Sequence, residues 1–257
     1  MRLAGKVIVI TGAAAGIGKA LALRFARENP AAMLLADLDE SGARSVAAET
    51  RSFATRTDVS QETDIGNLVA LAESQFSRID LFCSNAGIMV RAGLDASNSD
   101  WDRIWRTNVM AHVWAARAAL PGMLARGEGC FLHTVSAAGL LNQIGSAPYG
   151  VTKHAAIGFA EWLSIEYGDR GIQVSCLCPQ GVRTAMLDAG HFLAEGALSP
   201  DQVAEEAARG LEAGDFLILP HPEVLDYFRR KASDYGRWLR GMRRLRARVT
   251  LDSTKDT

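Results

Sequence analysis

Tyr149 and Lys153 are the two residues whose types and spacing point most directly to chemistry. They stand four positions apart, so in a helix they would lie on the same face, one turn from each other. A phenol has a pKa of about 10, too high for a base near neutral pH, and a lysine ammonium beside it favours the phenolate. Ser136, which follows an apolar run, adds a hydroxyl that would hold a substrate oxygen. Unless Tyr149 and Lys153 are an ordinary exposed helix pair, this set predicts proton transfer to or from an alcohol or a carbonyl.

A glycine-rich turn near the N-terminus predicts a dinucleotide site. The apolar, β-branched run of residues 7–10 predicts a buried strand, and residues 19–27 predict a helix. Between them lie Gly12, Gly16 and Gly18. Glycines let the backbone approach a pyrophosphate, and the N-terminus of a helix presents unpaired N–H groups and the positive end of the dipole.

Asp37 predicts which dinucleotide binds. It ends a second apolar run nineteen residues beyond Gly18, where an acidic side chain commonly grips the adenosine ribose. A carboxylate there accepts hydrogen bonds from the ribose diol and repels the additional phosphate of NADP. Neither Ala15 nor Leu38 supplies the basic group that this phosphate needs. The sequence therefore predicts NAD, and the alternative is that Asp37 is only a turn residue at the end of a strand.

Length and composition limit the classes of protein that the chain can be. The 257 residues are 48% hydrophobic with a net charge of -1, which fits one large α/β domain and favours no nucleic-acid partner. No apolar run reaches about 18 residues and no signal peptide opens the chain, so we expect a cytoplasmic protein without a membrane span. The four cysteines lie in or beside apolar runs without metal-ligand spacing, so we expect reduced thiols and no metal.

Strand and helix patterns alternate along residues 1–220. This alternation predicts an α/β fold, namely a single Rossmann-type doubly wound catalytic domain with a seven-stranded, mostly parallel sheet. Residues 100–126 predict one long helix, with Asn108 in its middle, where asparagine has a poor helix preference. Residues 148–168 predict the helix that carries Tyr149 and Lys153.

Residues 221–257 predict a separate basic and amphipathic helical tail. Nine arginines and lysines fall within residues 229–248, beside apolar residues at helical spacing. One interpretation is contact with an anionic membrane or a nucleic acid, and the other is packing on the same domain or a sister subunit. We favour the second, because a helix with an apolar stripe most often buries it against protein.

Together these motifs resemble those of the classical short-chain dehydrogenases/reductases over roughly residues 1–220. Two positions depart from the family pattern: Ser84 stands where many members have a second asparagine, and Gln180 where the family often has glycine. The resemblance rests on the following elements, in the family's order: Thr11-Gly-x-x-x-Gly-x-Gly18, Asp58, Asn85-Ala-Gly87, Asn108, Ser136, Tyr149-x-x-x-Lys153 and Pro179-x-Gly-x-x-Thr184.

The resemblance implies an oxidoreductase that uses NAD to interconvert a hydrophobic secondary alcohol and its ketone by hydride transfer. Tyr149 would be the general acid/base, and Lys153 would lower its pKa and hold the nicotinamide ribose. Ser136 would orient the substrate oxygen, and Asn108 would anchor the water chain that relays the proton. The family commonly forms dimers and tetramers through its long helices, so a homodimer or homotetramer is expected. The implied cofactor-binding residues are Gly12, Gly16, Ile17, Gly18, Asp37, Asp58, Val59, Asn85, Gly87, Tyr149, Lys153, Pro179, Val182 and Thr184.

The candidate substrate pocket is mostly apolar. Arg183 is the one charged residue that we expect near its mouth, as a solvated loop residue. Phe192 belongs to the same loop region. The residues that we assign to the pocket are Ala138, Gln143, Met186 and Leu187.

Two alternative functions remain. An NADP-dependent carbonyl reductase or 3-oxoacyl-thioester reductase would keep the fold, but Asp37 speaks against the additional phosphate. A catalytically silent dinucleotide-sensing protein would also keep the fold. Such a sensor has no need of a phenolate base, so the presence of Ser136, Tyr149 and Lys153 speaks against it.

Overall fold

The predicted doubly wound α/β fold is confirmed. The computed structural model describes residues 1–187 and 193–253, and within them a single sheet has seven strands, every pairing parallel. The strands are β1 (Val7–Thr11), β2 (Ala32–Asp37), β3 (Phe53–Arg56), β4 (Leu81–Ser84), β5 (Gly129–Thr134), β6 (Ile172–Leu177) and β7 (Leu217–Ile218). Their spatial order is β3-β2-β1-β4-β5-β6-β7.

Helices cover both faces of the sheet. Helices α1, α2 and α8 pack on one face, and α3, α5 and α7 pack on the other. Because both faces are covered, all five residues of β1 are buried, which explains its continuous apolar sequence. The helices are α1 (Gly16–Ala26), α2 (Glu40–Thr50), α3 (Glu62–Phe76), α4 (Asn98–Trp105), α5 (Ala111–Arg126), α6 (Ala138–Leu141), α7 (Ala147–Tyr167), α8 (Pro200–Ala213), α9 (Glu223–Ser233) and α10 (Tyr235–Ser253), with a 3₁₀ turn at Gly168–Arg170.

The long helix predicted for residues 100–126 is interrupted. Helix α4 begins after Ser97, whose hydroxyl accepts a hydrogen bond from the backbone N–H of Asp100 at 3.1 Å. A π-helical turn, Arg106–Met110, then separates α4 from α5. Asn108 lies in the middle of this turn. A π turn inserts one additional residue into a helix and is frequent at functional sites, so the unusual asparagine marks the interruption.

The basic tail consists of two helices that are joined at Asp234. In α9, Val224 is fully buried and Phe228 packs against the main core. Lys231 is also buried, and its Nζ donates to the backbone oxygen of Leu140 at 2.6 Å. The tail is therefore anchored on α6, beside the carboxyl edge of the sheet. None of the helices in the described ranges combines the length and apolarity that a membrane-spanning helix needs.

Candidate active site

The carboxyl ends of the parallel strands open into one large cavity. Its volume is about 1410 Å³, and it runs across the point between β1 and β4 where the strand order reverses. Ligands of open α/β sheets bind at such a switch point. Among the predicted cofactor residues, those that line the cavity are Gly12, Gly16, Ile17, Asp37, Asp58, Val59, Asn85, Gly87, Tyr149, Lys153, Pro179, Val182 and Thr184.

The glycine turn is packed too tightly for side chains. Gly12 has φ +67°, and a Cβ there would lie 2.8 Å from the Cα of Ala86. A Cβ on Gly18 would lie 1.9 Å from the carbonyl oxygen of Gly12. Gly18 thus lies beneath the turn and does not line the cavity; it allows α1 to approach β1. Helix α1 has no side-chain cap and no acidic residue in its first turn, so its N–H groups and dipole are open to an anion.

We expect Gly18→Ala to weaken dinucleotide binding by at least about tenfold and to destabilise the fold. The new methyl group would overlap the Gly12 carbonyl, and backbone must move to relieve the clash. Overpacking of this kind commonly costs about 1–3 kcal/mol. Titration of cofactor fluorescence and thermal unfolding would measure the two effects. Gly66→Ala in α3 is the matched control, since a Cβ there meets no atom within 4 Å. If the Gly18→Ala protein bound cofactor as tightly as that control, the close approach of α1 to β1 would not matter for cofactor binding.

Asp37 lines the same cavity, where β2 ends. Its Oδ2 accepts a hydrogen bond from the N–H of Ala14 at 2.9 Å, and its Oδ1 accepts one from the N–H of Asp39 at 3.0 Å. Leu38 lines the cavity beside it. Asp58 is held by Ser60, whose N–H and Oγ both donate to Oδ1, at 2.9 and 2.7 Å. These contacts fix both carboxylates at the cavity wall.

Asn85 joins the ends of β1 and β4. Its N–H donates to the hydroxyl of Thr11 at 3.0 Å, and its Nδ2 donates to the Thr11 carbonyl oxygen at 3.0 Å. Gly87 follows, where an added Cβ would lie 3.5 Å from Nζ of Lys153. The segment after β4 is therefore fixed to the glycine turn and leaves space beside the lysine.

Tyr149 and Lys153 lie in the first turns of α7. The hydroxyl of Ser146 caps this helix by accepting from the N–H of Tyr149 at 3.2 Å. Lys153 is 4% exposed, its Nζ donates to the Thr134 carbonyl oxygen at 3.1 Å, and it lies 5.5 Å from the centroid of the Tyr149 ring. Both side chains are buried, so they are not an ordinary exposed helix pair.

Burial dominates the electrostatics of this pair. It raises the pKa of the Tyr149 phenol above its ordinary value, and a hydrogen bond with Ser136 opposes this change. Burial lowers the pKa of Lys153 to about 8. The sequence predicted a lowered pKa for Tyr149, whereas the protein without cofactor keeps the phenol neutral. Removing the lysine ammonium from water and placing the phenol in an apolar wall both disfavour charge.

Ser136 is held in a strained conformation. Its φ is +143°, a region that residues with a Cβ rarely adopt, at a cost of about 1–3 kcal/mol. Its Oγ accepts from the N–H of Ala138 at 3.1 Å and donates to the carbonyl oxygen of Pro179 at 3.3 Å. The serine lines the cavity, so the strained backbone holds its hydroxyl on the same wall as Tyr149.

Asn108 lies one layer behind the cavity and does not line it. The side chain is fully buried, its Oδ1 accepts from the N–H of Ile88 at 2.9 Å, and its Nδ2 donates to the Ile88 carbonyl oxygen at 2.9 Å. This two-way contact ties the π turn to the segment that follows Gly87. In the structure, the amide therefore positions backbone next to Lys153.

The predicted substrate residues line the same cavity as the tyrosine. Arg183 is an exposed loop residue that does not line the cavity, and its guanidinium donates to the carbonyl oxygen of Ala197. Phe192 lies outside the described residues. Gln180 lines the cavity, and its N–H donates to Nδ1 of the buried His221 at 3.1 Å. The predicted pocket residues that line the cavity are Ala138, Gln143, Met186 and Leu187.

Comparison with known proteins decides the family. A model of the short chain dehydrogenases matches residues 6–191. The chain is a short-chain dehydrogenase. Among its relatives, meso-2,3-butanediol dehydrogenase of Serratia marcescens is 34% identical over 190 residues, which cover 72% of this chain and 75% of that protein. A second relative, 1-deoxy-11-beta-hydroxypentalenate dehydrogenase of Streptomyces exfoliatus, is 34% identical over 220 residues, 82% of this chain and 79% of that protein.

A solved structure supports the same family assignment. A short chain dehydrogenase/reductase from Burkholderia phymatum in complex with NAD is 28% identical, superposes with a TM-score of 0.84, and is matched over 91% of this chain and 95% of that one. The resemblance inferred from the motifs is thereby confirmed. The protein is an oxidoreductase of the short-chain dehydrogenase family with a nicotinamide dinucleotide as cofactor.

This short-chain dehydrogenase also brings tail residues into its cavity that sequence reasoning did not assign to the site. Tyr227 and Arg230 of α9 and Arg237, Trp238 and Met242 of α10 are among the lining residues. The signal that could have found them is the spacing of Trp238 and Met242, which places both on one helix face. Periodicity predicts an apolar stripe but does not show what the stripe faces.

Proposed function

We propose that this short-chain dehydrogenase uses NAD to interconvert a secondary alcohol with an apolar body and the corresponding ketone. The observation that carries the proposal is the buried Tyr149, whose wall of the cavity also holds Ser136 and Lys153. The same cavity continues to the glycine turn and to Asp37. One space therefore holds the acid/base and the features that suit a dinucleotide.

Each side chain has a distinct part in the reaction. During oxidation, Tyr149 accepts the proton of the substrate hydroxyl, and during reduction it returns a proton to the carbonyl oxygen. Ser136 hydrogen-bonds the substrate oxygen and holds it beside the phenol. Lys153, with its ammonium near the tyrosine ring, favours the phenolate that oxidation requires. When bound, the nicotinamide supplies the hydride chemistry, and the protein supplies binding, orientation and electrostatics.

The apolar lining next to Tyr149 supports an apolar substrate body. Leu141, Ile144, Met186 and Leu187 line this part of the cavity, and Ala138 is buried beside the tyrosine. A neutral phenol in such a wall also suits the reduction of a ketone, because it has a proton to donate. A sensor without catalysis gains nothing from a buried tyrosine and lysine, whose desolvation costs free energy.

Asp37 supports NAD as the cofactor. Its carboxylate is fixed at the wall by two backbone N–H donors, and its neighbour Leu38 carries no charge. A ribose diol can donate to this carboxylate, whereas a 2′-phosphate would be repelled by it. The relative solved with NAD agrees with this choice.

We expect Asp37→Asn to lower the preference for NAD over NADP, measured as the ratio of kcat/KM, by at least about tenfold. The change removes the negative charge and keeps the shape, and a hydrogen bond to a charged group contributes about 1.5–3 kcal/mol. Initial rates of nicotinamide reduction across a series of hydrophobic secondary alcohols, with each cofactor, give the ratio and test the proposed function itself. Glu40→Gln is the control, since this neighbouring acid does not line the cavity. A wild-type enzyme that prefers NADP would contradict the assignment.

A homodimer or homotetramer belongs to the same proposal. On α7, Val151, Trp162 and Ile165 are exposed large apolar side chains, at 48%, 50% and 79%. Spaced along one long helix, they offer an apolar surface for a second copy of the chain. Light scattering during size-exclusion chromatography measures the assembly state directly.

A further inference from the structure

The cavity that contains Tyr149 extends to a wall that the tail helices form. We call this wall the basic wall and define it by the cavity residues Tyr227, Arg230, Arg237, Trp238, Arg244 and Arg248. It is continuous with the cavity that contains Tyr149 and the apolar pocket residues. A ligand whose reacting carbon lies beside the tyrosine can therefore reach the basic wall.

Helix α10 presents one mixed face to the cavity. Arg237, Arg244 and Arg248 stand seven and four residues apart, so they share a side of the helix and span about 16 Å along its axis. The half-buried Met242 and Leu245 lie among them and also line the cavity. The wall thus combines apolar contact area with guanidinium groups.

The guanidinium groups of the basic wall are available to a ligand. Among the described side chains, Arg230, Arg237, Arg244 and Arg248 make no ion pair with a carboxylate. Arg230 lies over the ring of Tyr227, 5.9 Å from its centroid, which orients it without neutralising it.

The acidic groups nearby are too few to balance these arginines. Glu223 and Asp234 line this end of the cavity, and the Oδ1 of Asp234 is already occupied by the N–H of Arg237 at 2.8 Å. Two further arginines that line the cavity have partners of their own: Arg91 donates to the carbonyl oxygen of Met186, and Arg103 pairs with Asp100. This end of the cavity therefore carries a net positive charge.

We propose that the basic wall binds the anionic end of an amphiphilic substrate, namely a secondary alcohol or ketone with an apolar body that ends in a carboxylate or a phosphate ester. This inference deepens the proposed function and rests on it. Arginine forks bind both anions with two parallel hydrogen bonds, and the half-buried Trp238 adds an apolar contact surface to the same wall. The apolar residues next to Tyr149 contact the body, and the arginines set the distance between the anionic end and the reacting carbon.

Binding of matched ketones tests the proposal without requiring turnover. The probes are three ketones: 11-oxododecanoate, its methyl ester and 11-oxododecyl phosphate. Each is titrated calorimetrically into protein that is saturated with the oxidised cofactor it binds. A ketone and an oxidised nicotinamide cannot react with each other, so only binding is measured. In the wild type, at least one of the two anions is expected to bind about tenfold or more tightly than the ester, which corresponds to about 1.4 kcal/mol. The stronger of the two anions identifies the preferred group.

Two double variants of α10 locate the effect. Arg237→Gln/Arg244→Gln removes two charges from the cavity face and is expected to abolish the preference for the anion over the ester. Arg240→Gln/Arg243→Gln removes two charges from exposed positions outside the cavity and is expected to keep it. Equal binding of the anions and the ester by the wild type would overturn the proposal. An equal loss of the anion preference in both double variants would also overturn it, because the preference would then come from the overall positive charge of α10 and not from the basic wall. Failure of the wild type to oxidise any of the corresponding alcohols would count against the proposed function alone.

Discussion

Tyr149→Phe is expected to lower kcat for alcohol oxidation by about 10²–10⁴-fold while the affinity for NAD changes little. The substitution removes only the hydroxyl, so the ring still fills its buried place in the wall next to Ala138. General acid/base catalysis by a positioned side chain contributes a factor of this size. Initial rates at saturating cofactor, together with fluorescence titration of NADH, separate the chemical step from binding.

Tyr167→Phe provides the matched control for this experiment. Tyr167 ends the same helix, outside the cavity, so loss of its hydroxyl should leave kcat within about twofold. The pH profile supplies a second criterion. Oxidation needs the phenolate and reduction needs the phenol, so kcat/KM for the alcohol should rise with pH and that for the ketone should fall. A Tyr149→Phe protein that kept more than a tenth of the wild-type kcat would remove the tyrosine from the mechanism.

Lys153→Met is expected to abolish most of the activity and yet to stabilise the cofactor-free protein near neutral pH. The loss of the ammonium removes the positive charge beside the Tyr149 ring, and we expect kcat to fall at least about a hundredfold. The substitution also removes a buried ammonium, which is a gain in the stability of the folded protein. The gain is reduced by the loss of the hydrogen bond to the Thr134 carbonyl oxygen, but a flexible apolar chain fills nearly the same volume.

The pH dependence of this stability effect has a defined sign. Burial lowers the pKa of Lys153 from 10.5 to about 8 in the folded protein. Between these two values the unfolded chain binds more protons than the folded one, so the free energy of unfolding of the wild type rises with pH across the window. The gain approaches about 3 kcal/mol between pH 8 and 10.5, and the Lys153→Met protein lacks it.

Denaturant titration at pH 7.5 and at pH 10.5 measures both quantities. Lys19→Met, at a partly exposed lysine paired with Glu49, controls for general effects of removing a positive charge and should show no such pH dependence. A Lys153→Met protein that is less stable than the wild type at pH 7.5 would mean that the ammonium stabilises the folded state, contrary to the desolvation argument.

Local sequence signals predicted much of the framework because their causes are local. Buried parallel strands need continuous apolar runs, so β1 and β2 were recognisable from composition alone. Ser97 caps the start of α4 and Pro148 lies in the first turn of α7, and both residue types are local signals of a helix start. Helix α2 was missed, although Asp39 caps its start by accepting from the N–H of Gly42, because small residues fill most of its buried face. Alanines bury well but produce a weak hydrophobic pattern.

The sequence by itself determined the family, the parallel doubly wound sheet and the pairing of Tyr149 with Lys153, because each depends on short-range spacing and on motifs in a recognisable order. Tertiary structure alone decided the protonation and the surroundings of that pair. Burial raises the pKa of Tyr149 and so keeps the phenol neutral in the absence of cofactor. The side-chain amide of Asn108 makes two hydrogen bonds to the backbone of Ile88. The tertiary structure also decided that residues of the basic tail line the cavity. Desolvation and long-range contacts depend on which distant segments meet, and no periodicity along the chain records that information.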